Sequence, residues 1–183
     1  MGHSTGCQDA VTYCKRFHSK LYKNHDDTNI KLDGVILQAP VSDRESMQME
    51  EGYESNLKLA KSMIDEGKKE SLMPRDRHYS PISAYRYHSL AGKMTDDDMF
   101  SSDIPQVDMV DMFECVDIPA LLAFSGSDEY VPGYVDKKEL AHRMESAMKY
   151  GKSVVLDGAD HACTSDKSVG ELIDEVHRFL VRI

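Results

Sequence analysis

An α/β fold built on a parallel sheet is the architecture this sequence predicts, and three observations carry it. Short β-rich apolar runs stand at residues 35–37 in "LDGVILQAP", 120–124 in "IPALLAFSGSDEYVP" and 154–156 in "KSVVLDGADHA". Their hydrophobicity is unbroken rather than alternating, as expected of strands covered on both faces. Segments with helical periodicity precede, separate and follow them, and that alternation is the signature of parallel strands joined by helical crossovers. Each run also ends in a polar turn. Ligands of such folds sit beyond the carboxyl ends of the strands, so those turns are where function is to be sought.

Taken in order, Cys7, Ala10, Val11, Cys14, Phe17 and Leu21 recur at three- and four-residue intervals, predicting a helix that starts at or just after Ser4. "NHDDTN" at 24–29 breaks it, and the first expected strand, 35–37, is closed by Pro40. Residues 42–69, "SDRESMQMEEGYESNLKLAKSMIDEGKK", predict one helix with Ser42 or Asp43 as N-cap, Tyr53, Leu57, Ala60 and Ile64 on one stripe, and Gly67 as the stop. Residues 70–114 contain Pro74, Pro81 and Pro105 and no sustained period; a stretch that long inside a domain is expected to be a lid. After the 120–124 strand, Leu140, Ala141, Met144, Ala147 and Met148 mark a helix. After the 154–156 strand, Val169, Leu172, Ile173, Val176 and Leu180 mark the closing one. No repeat or linker divides the chain, so one domain over 1–183 is expected.

The 183 residues are 40% hydrophobic and 30% charged, the profile of a globular domain, and carry a net charge of -10. Lysines and arginines are scattered, so nucleic acid would be repelled, and a neutral or cationic small molecule suits the field better. No apolar run is long enough for a bilayer, and no secretory or mitochondrial leader pattern follows Met1. Gly6 stands where a myristoylation signal needs Ser or Thr. Cys7, Cys14, Cys115 and Cys163 show neither a C-x-x-C pair nor zinc spacing, and reduced thiols in a cytoplasmic protein are expected. The acidic runs at 25–27 and 96–98 lack calcium-loop or zinc signatures and read as solvated loops, so no metal is expected. His78 and His88, among Tyr79, Tyr85 and Tyr87, fit either a pocket lining under the lid or a partly buried aromatic patch.

Chemistry enters at "GHSTG". Taken alone, Gly-x-Ser-x-Gly arises by chance in about one chain in twenty of this length, so its context decides. A nucleophilic serine needs a strained turn flanked by small residues, so that the backbone bends sharply and the next helix packs close. Gly2 and Gly6 supply the small residues. The helix beginning there aims its first N–H groups and positive dipole end at the place where an oxyanion would form. A serine hydroxyl also needs a base to take its proton, and the base needs an acid to fix its tautomer. Asp128 follows the second expected strand and His161 the third, which puts both at the same sheet edge as Ser4 and in the chain order Ser, Asp, His. Glu129 and Asp160 are the rival acids; Glu129 faces the other side of an extended segment, and Asp160 is too near His161 in the chain to approach its ring.

"GHSTGCQD", "LQAPVSDRE", "FSGSDEYVP" and "GADHACT" together resemble a fungal α/β-hydrolase family of mostly uncharacterised proteins that includes siderophore esterases, enzymes that open the ester bonds of fusarinine-type iron carriers. The resemblance spans nearly the whole chain. It implies an α/β-hydrolase fold, Ser4 as nucleophile, Asp128 as acid, His161 as base, a helical cap insertion at about 42–116, and a small-molecule ester substrate with no metal or organic cofactor. Members of that family carry several strands and helices before the nucleophile, including the loop that gives a second oxyanion donor. The chain is therefore expected to be the C-terminal part of such a sheet with its N-terminal strands missing, and to keep only Thr5 N–H as donor. A serine ester hydrolase, with a siderophore ester as favoured substrate, is the expected function. A truncated, inactive remnant or partner-binding fragment stays open as an alternative, as does an acyltransferase or thioesterase with the same residues.

Overall fold

The computed structural model describes residues 1–18 and 32–183. In chain order its elements are β1 (Gly2–His3), α1 (Gly6–Tyr13), β2 (Val35–Gln38), α2 (Asp43–Met47), α3 (Tyr53–Asp65), α4 (Ala84–Ala91), α5 (Gln106–Phe113), β3 (Ala120–Ser125), α6 (Lys137–Ala147), β4 (Gly151–Leu156) and α7 (Asp166–Leu180). They form two compact units: Met1–Val41 with Ser102–Ile183, and Ser42–Ser101.

A four-stranded sheet in the order β1-β2-β3-β4, parallel throughout, organises the first unit. Every residue of β2 and β3 is buried, as their unbroken apolar runs require. β4 begins at Gly151, earlier than the expected 154, because Lys152 and Ser153 extend the ladder to β3 without adding apolar character. The strand expected to come first, β2, is preceded by β1, where Gly2 pairs with Leu37 and His3 with Gln38. Two residues, one of them glycine, carry no strand propensity; the neighbouring ladder imposes their conformation.

On α1, Cys7 and Val11 are buried, and the chain continues as a π-helical turn over Cys14–His18 that begins with buried Cys14. The Phe17 side chain, Leu21, the expected break at 24–29 and the acidic run His25, Asp26 and Asp27 lie outside the described residues. Asp136 caps α6 by accepting from the N–H groups of Lys138 and Glu139, and Ser165 caps α7 by accepting from Ser168 N–H. α5 falls in the stretch expected to lack periodicity, yet Met109 and Phe113 are fully buried. α7 lies where its period places it, but Val169, Ile173 and Leu180 are 41%, 60% and 54% exposed.

In the second unit the helix expected over 42–67 is two. Ser42 accepts from Glu45 N–H to start α2, and Gly52, at φ +83°, turns the chain before α3. A left-handed residue cannot sit inside an α-helix, and glycine takes that conformation without steric cost. Gly67 stops α3 as expected: its N–H donates to Ile64 and Lys68 N–H donates to Met63, the paired bonds of a Schellman ending. α4, capped by Ser83, was hidden by Tyr, His and Ser, all modest helix formers. Met47, Tyr53, Ala60, Met73, Ile82, Ala84, Tyr87 and Ala91 form the core. His78 stands edge-on to buried Tyr87 at 6.0 Å and lies 4.3 Å from exposed Tyr79, so it is part of an aromatic patch.

The acidic run 96–98 is the solvated loop expected only in part: Asp96 is exposed, Asp97 half-buried and Asp98 buried. Asp96 accepts from the Tyr85 hydroxyl at 2.8 Å, and Asp97 binds Arg86 and Ser89. Asp98, buried, accepts Arg44 Nε–H on both carboxylate oxygens at 3.1 Å, and also Met94 N–H and the Ser101 hydroxyl. Each carboxylate therefore has its own cation or donor, a requirement for burying charge. Ser42 and Ser101, the two ends of this unit, meet hydroxyl to hydroxyl at 2.5 Å. Among the described residues no helix is long and apolar enough to cross a membrane, and no group of three or more His, Cys, Asp or Glu is placed to hold a metal ion.

Candidate active site

β1 runs straight into Ser4, whose φ is +53°. Its N–H still donates to Gln38 O at 3.1 Å, continuing the ladder, while its carbonyl already accepts from Cys7 N–H at 2.8 Å, opening α1. One residue thus turns a strand into a helix, and for a serine the left-handed backbone is a strained state held by its surroundings. Gly2 makes the turn possible: a Cβ there would lie 2.2 Å from Gly6 O and 2.9 Å from Cys7 N. Gly6 differs from expectation, because a Cβ there would meet nothing within 4 Å. Close approach is required at the first glycine alone, where it meets the carbonyl of the second. Gly6→Ala is accordingly expected to change unfolding free energy by less than about 1 kcal/mol, whereas Gly2→Ala, which forces backbone apart, is expected to cost about 3 kcal/mol or more. Denaturant unfolding of both variants checks this.

Thr5 N–H, at the N-cap of α1, has no acceptor among the described residues, as befits the first donors of a helix.

The β3 and β4 loops are tied to each other. Gly126 N–H donates to Leu156 O at 2.9 Å and Ser127 N–H to Ala159 O at 2.8 Å. A Cβ at Gly126 would stand 2.8 Å from Leu156 O, so glycine is needed for this approach. The tie brings Asp128 and His161 together. Asp128, its side chain 1% exposed, accepts Tyr130 N–H on Oδ1 at 3.0 Å and His161 Nδ1 on Oδ2 at 2.8 Å. A carboxylate only accepts, so the His161 proton lies on Nδ1 and Nε2 is left with its lone pair. The His161 ring is flanked by His3 at 4.8 Å and edge-on by Tyr130 at 4.7 Å.

Neither rival acid reaches the ring. Glu129 takes the backbone N–H of His161 at 3.0 Å, and that bond chiefly holds its carboxyl below the usual range. Asp160 takes the Thr164 hydroxyl and Thr164 N–H, which lower its carboxyl in that order. Cysteine chemistry is disfavoured too: burial pushes the Cys14 thiol up to about 11 and raises Cys115 as well. The Ser4 hydroxyl has no hydrogen-bond partner among the described residues. Ser4 is therefore not bonded to His161 but stands next in the chain to His3, which touches the His161 ring. His3, Gln38 and Tyr130 were not singled out beforehand; only Gln38 left a trace, as the polar end of an apolar strand.

A family model described as "Protein of unknown function (DUF1749)" matches residues 1–181. Among curated proteins the chain is 29% identical to a fusarinine C esterase of Aspergillus fumigatus, over 91% of this chain and 60% of that protein. It is 28% identical to an esterase of Emericella nidulans, over 100% and 64%. The chain spans about three-fifths of the length of these relatives. Among solved structures, a siderophore hydrolase, EstB, from Aspergillus fumigatus superposes with a TM-score of 0.79 at 27% identity, covering 100% of this chain and 66% of that one. A monoacylglycerol lipase from Paleococcus ferrophilus superposes at 0.54 with 19% identity, over 99% and 65%, a likeness of fold. With its parallel sheet and interleaved helices, the chain has the architecture of an α/β-hydrolase, and it belongs to the DUF1749 family.

Proposed function

We propose that the full-length protein is a serine ester hydrolase. Ser4 Oγ attacks the ester carbonyl carbon while His161 Nε2 takes its proton, and Asp128 holds the resulting imidazolium through Nδ1–H. The carbonyl oxygen, now an anion, is met by Thr5 N–H and the positive end of α1. Collapse breaks the bond to the alcohol, which leaves with the proton from His161. Water then gives a proton to His161 and attacks the acyl-serine; as the bond to Ser4 Oγ breaks, His161 returns that proton to Oγ and the acid is released.

The observation that carries this reading is the buried Asp128–His161 pair, proton on Nδ1, at the same sheet edge as a serine in left-handed backbone. A siderophore ester as substrate rests on two relatives, a fusarinine C esterase and a siderophore hydrolase. Residues 42 to about 116 act as the helical cap in this reading. A cytoplasmic setting fits the four free, buried cysteines.

A fluorophosphonate, which phosphonylates activated serines with loss of fluoride, tests the assignment. The full-length protein is expected to gain one adduct on the peptide carrying Ser4, read by mass spectrometry, with parallel loss of p-nitrophenyl acetate hydrolysis. Hydrolysis that survives complete labelling, or an adduct confined to another residue, rejects it.

A further inference from the structure

We propose that Gln38 is a positioning residue for the catalytic histidine: its one side-chain amide holds the His161 peptide and fixes the proton of His3. The proposal rests on the serine-hydrolase reading above. Gln38 ends β2 and is 4% exposed, so its amide must be satisfied internally. Nε2 donates to His161 O at 3.2 Å and approaches Cys163 Sγ at 3.6 Å, while Oε1 is bonded to His3 Nδ1.

These partners leave the amide one orientation. A backbone carbonyl only accepts, so the NH2 group must face His161 O, and Oε1 is left for His3. An amide oxygen in turn only accepts, so His3 carries its proton on Nδ1. The main chain of the same residue serves the elbow: Gln38 O accepts Ser4 N–H at 3.1 Å and the Cys7 thiol at 3.3 Å. Gln38 therefore touches the backbone of the nucleophile, the ring of the residue before it, and the carbonyl of the base.

His161 is gripped at three points. Glu129 takes its N–H, Gln38 binds its C=O, and Asp128 binds its ring. Asp128 alone leaves the ring free to swing about that bond with its peptide; the two peptide contacts remove the swing. Backbone strain clusters here as well. Of the four described non-glycine residues with positive φ, Ser4 donates to Gln38 O, Ala39 follows Gln38, and Cys163 faces its amide. Strain of this kind persists only where surroundings over-determine the conformation. A displacement of about 1 Å in a catalytic group costs on the order of 100-fold in rate.

The test compares Gln38→Met, which removes both bonds at similar volume, with Gln38→Glu, which keeps the shape and the acceptor toward His3 but sets a carboxylate oxygen against His161 O. Both are made in the full-length protein beside Ser4→Ala, and kcat for p-nitrophenyl butyrate is divided by the sites titrated with fluorophosphonate. Both variants are expected to lose about 10- to 100-fold in kcat per titrated site, with KM within about threefold. A role in folding alone would lower the number of titratable sites and leave kcat per site unchanged, and that result overturns the proposal. So does a Gln38→Glu variant within twofold of the parent, whatever Gln38→Met does. Turnover surviving in Ser4→Ala would sink the serine-hydrolase reading instead, so the two failures are told apart.

Discussion

Ester turnover by Ser4→Ala in the full-length protein is expected to fall by a factor on the order of 10⁴ or more, with little change in stability. The two halves of that expectation come from different observations. The Ser4 hydroxyl makes no hydrogen bond to any described residue, so its removal leaves no buried partner unsatisfied, and alanine tolerates φ +53° about as well as serine does. The elbow itself is held by main-chain bonds to Gln38 and Cys7 and by the fit of Gly2 under Gly6, none of which involves the side chain. On the proposed mechanism the variant loses the atom that forms the acyl bond. Residual rate would come from Thr5 N–H and substrate binding acting on water. Hydrolysis of p-nitrophenyl acetate with thermal unfolding on the same samples checks both halves. Turnover within tenfold of the parent would remove Ser4 from the mechanism.

What the sequence made legible follows from how local each signal is. β2 and β3 are unbroken apolar runs, and the period of α6 and α7 is set by residues within each helix, so both kinds of element could be read without the fold. β1 could not: Gly2 and His3 become a strand because Leu37 and Gln38 lie beside them. α4 and α5 sit between prolines and draw their stability from buried Tyr87, Met109 and Phe113 rather than from propensity. The split between α2 and α3 turned on Gly52, one glycine among several whose left-handed backbone no local pattern distinguished. At the candidate site, Ser4 was legible from its Gly-x-Ser-x-Gly setting, and Asp128 and His161 as types in a known order after strand ends. Gln38, His3 and Tyr130 were not, since an amide ending a strand has no meaning until the loop after β4 is laid across it. Gly6 was over-read, because the pentapeptide treats its two glycines alike while packing distinguishes them. Within the acidic run 96–98, Asp98 was misread for a related reason: Arg44, which neutralises it, lies far away in the chain.

Asp128→Asn is expected to lower kcat by about 10⁴ while leaving the fold in place, and the hydrogen bonds around Asp128 give the reason. Oδ1 accepts Tyr130 N–H at 3.0 Å, a donor that cannot turn away because it belongs to the backbone. An asparagine must therefore keep its carbonyl oxygen toward Tyr130 and present its NH2 to His161 Nδ1, 2.8 Å from the replaced oxygen. Facing a donor, Nδ1 must become the acceptor, and the single proton of a neutral imidazole moves to Nε2. The lone pair that would take the Ser4 proton is then gone. Flipping the amide back restores the tautomer only by setting NH2 against Tyr130 N–H, two donors in a buried site. Shape and hydrogen-bond count barely change, so unfolding is expected within about 1 kcal/mol of the parent while kcat collapses. Fluorophosphonate labelling of Ser4 should slow in step with kcat, since both need the same proton transfer. If Asp128→Asn turned over ester within tenfold of the parent, Asp128 would not be setting the His161 tautomer. Glu129, already bonded to His161 N–H, would then be the carboxylate to replace next.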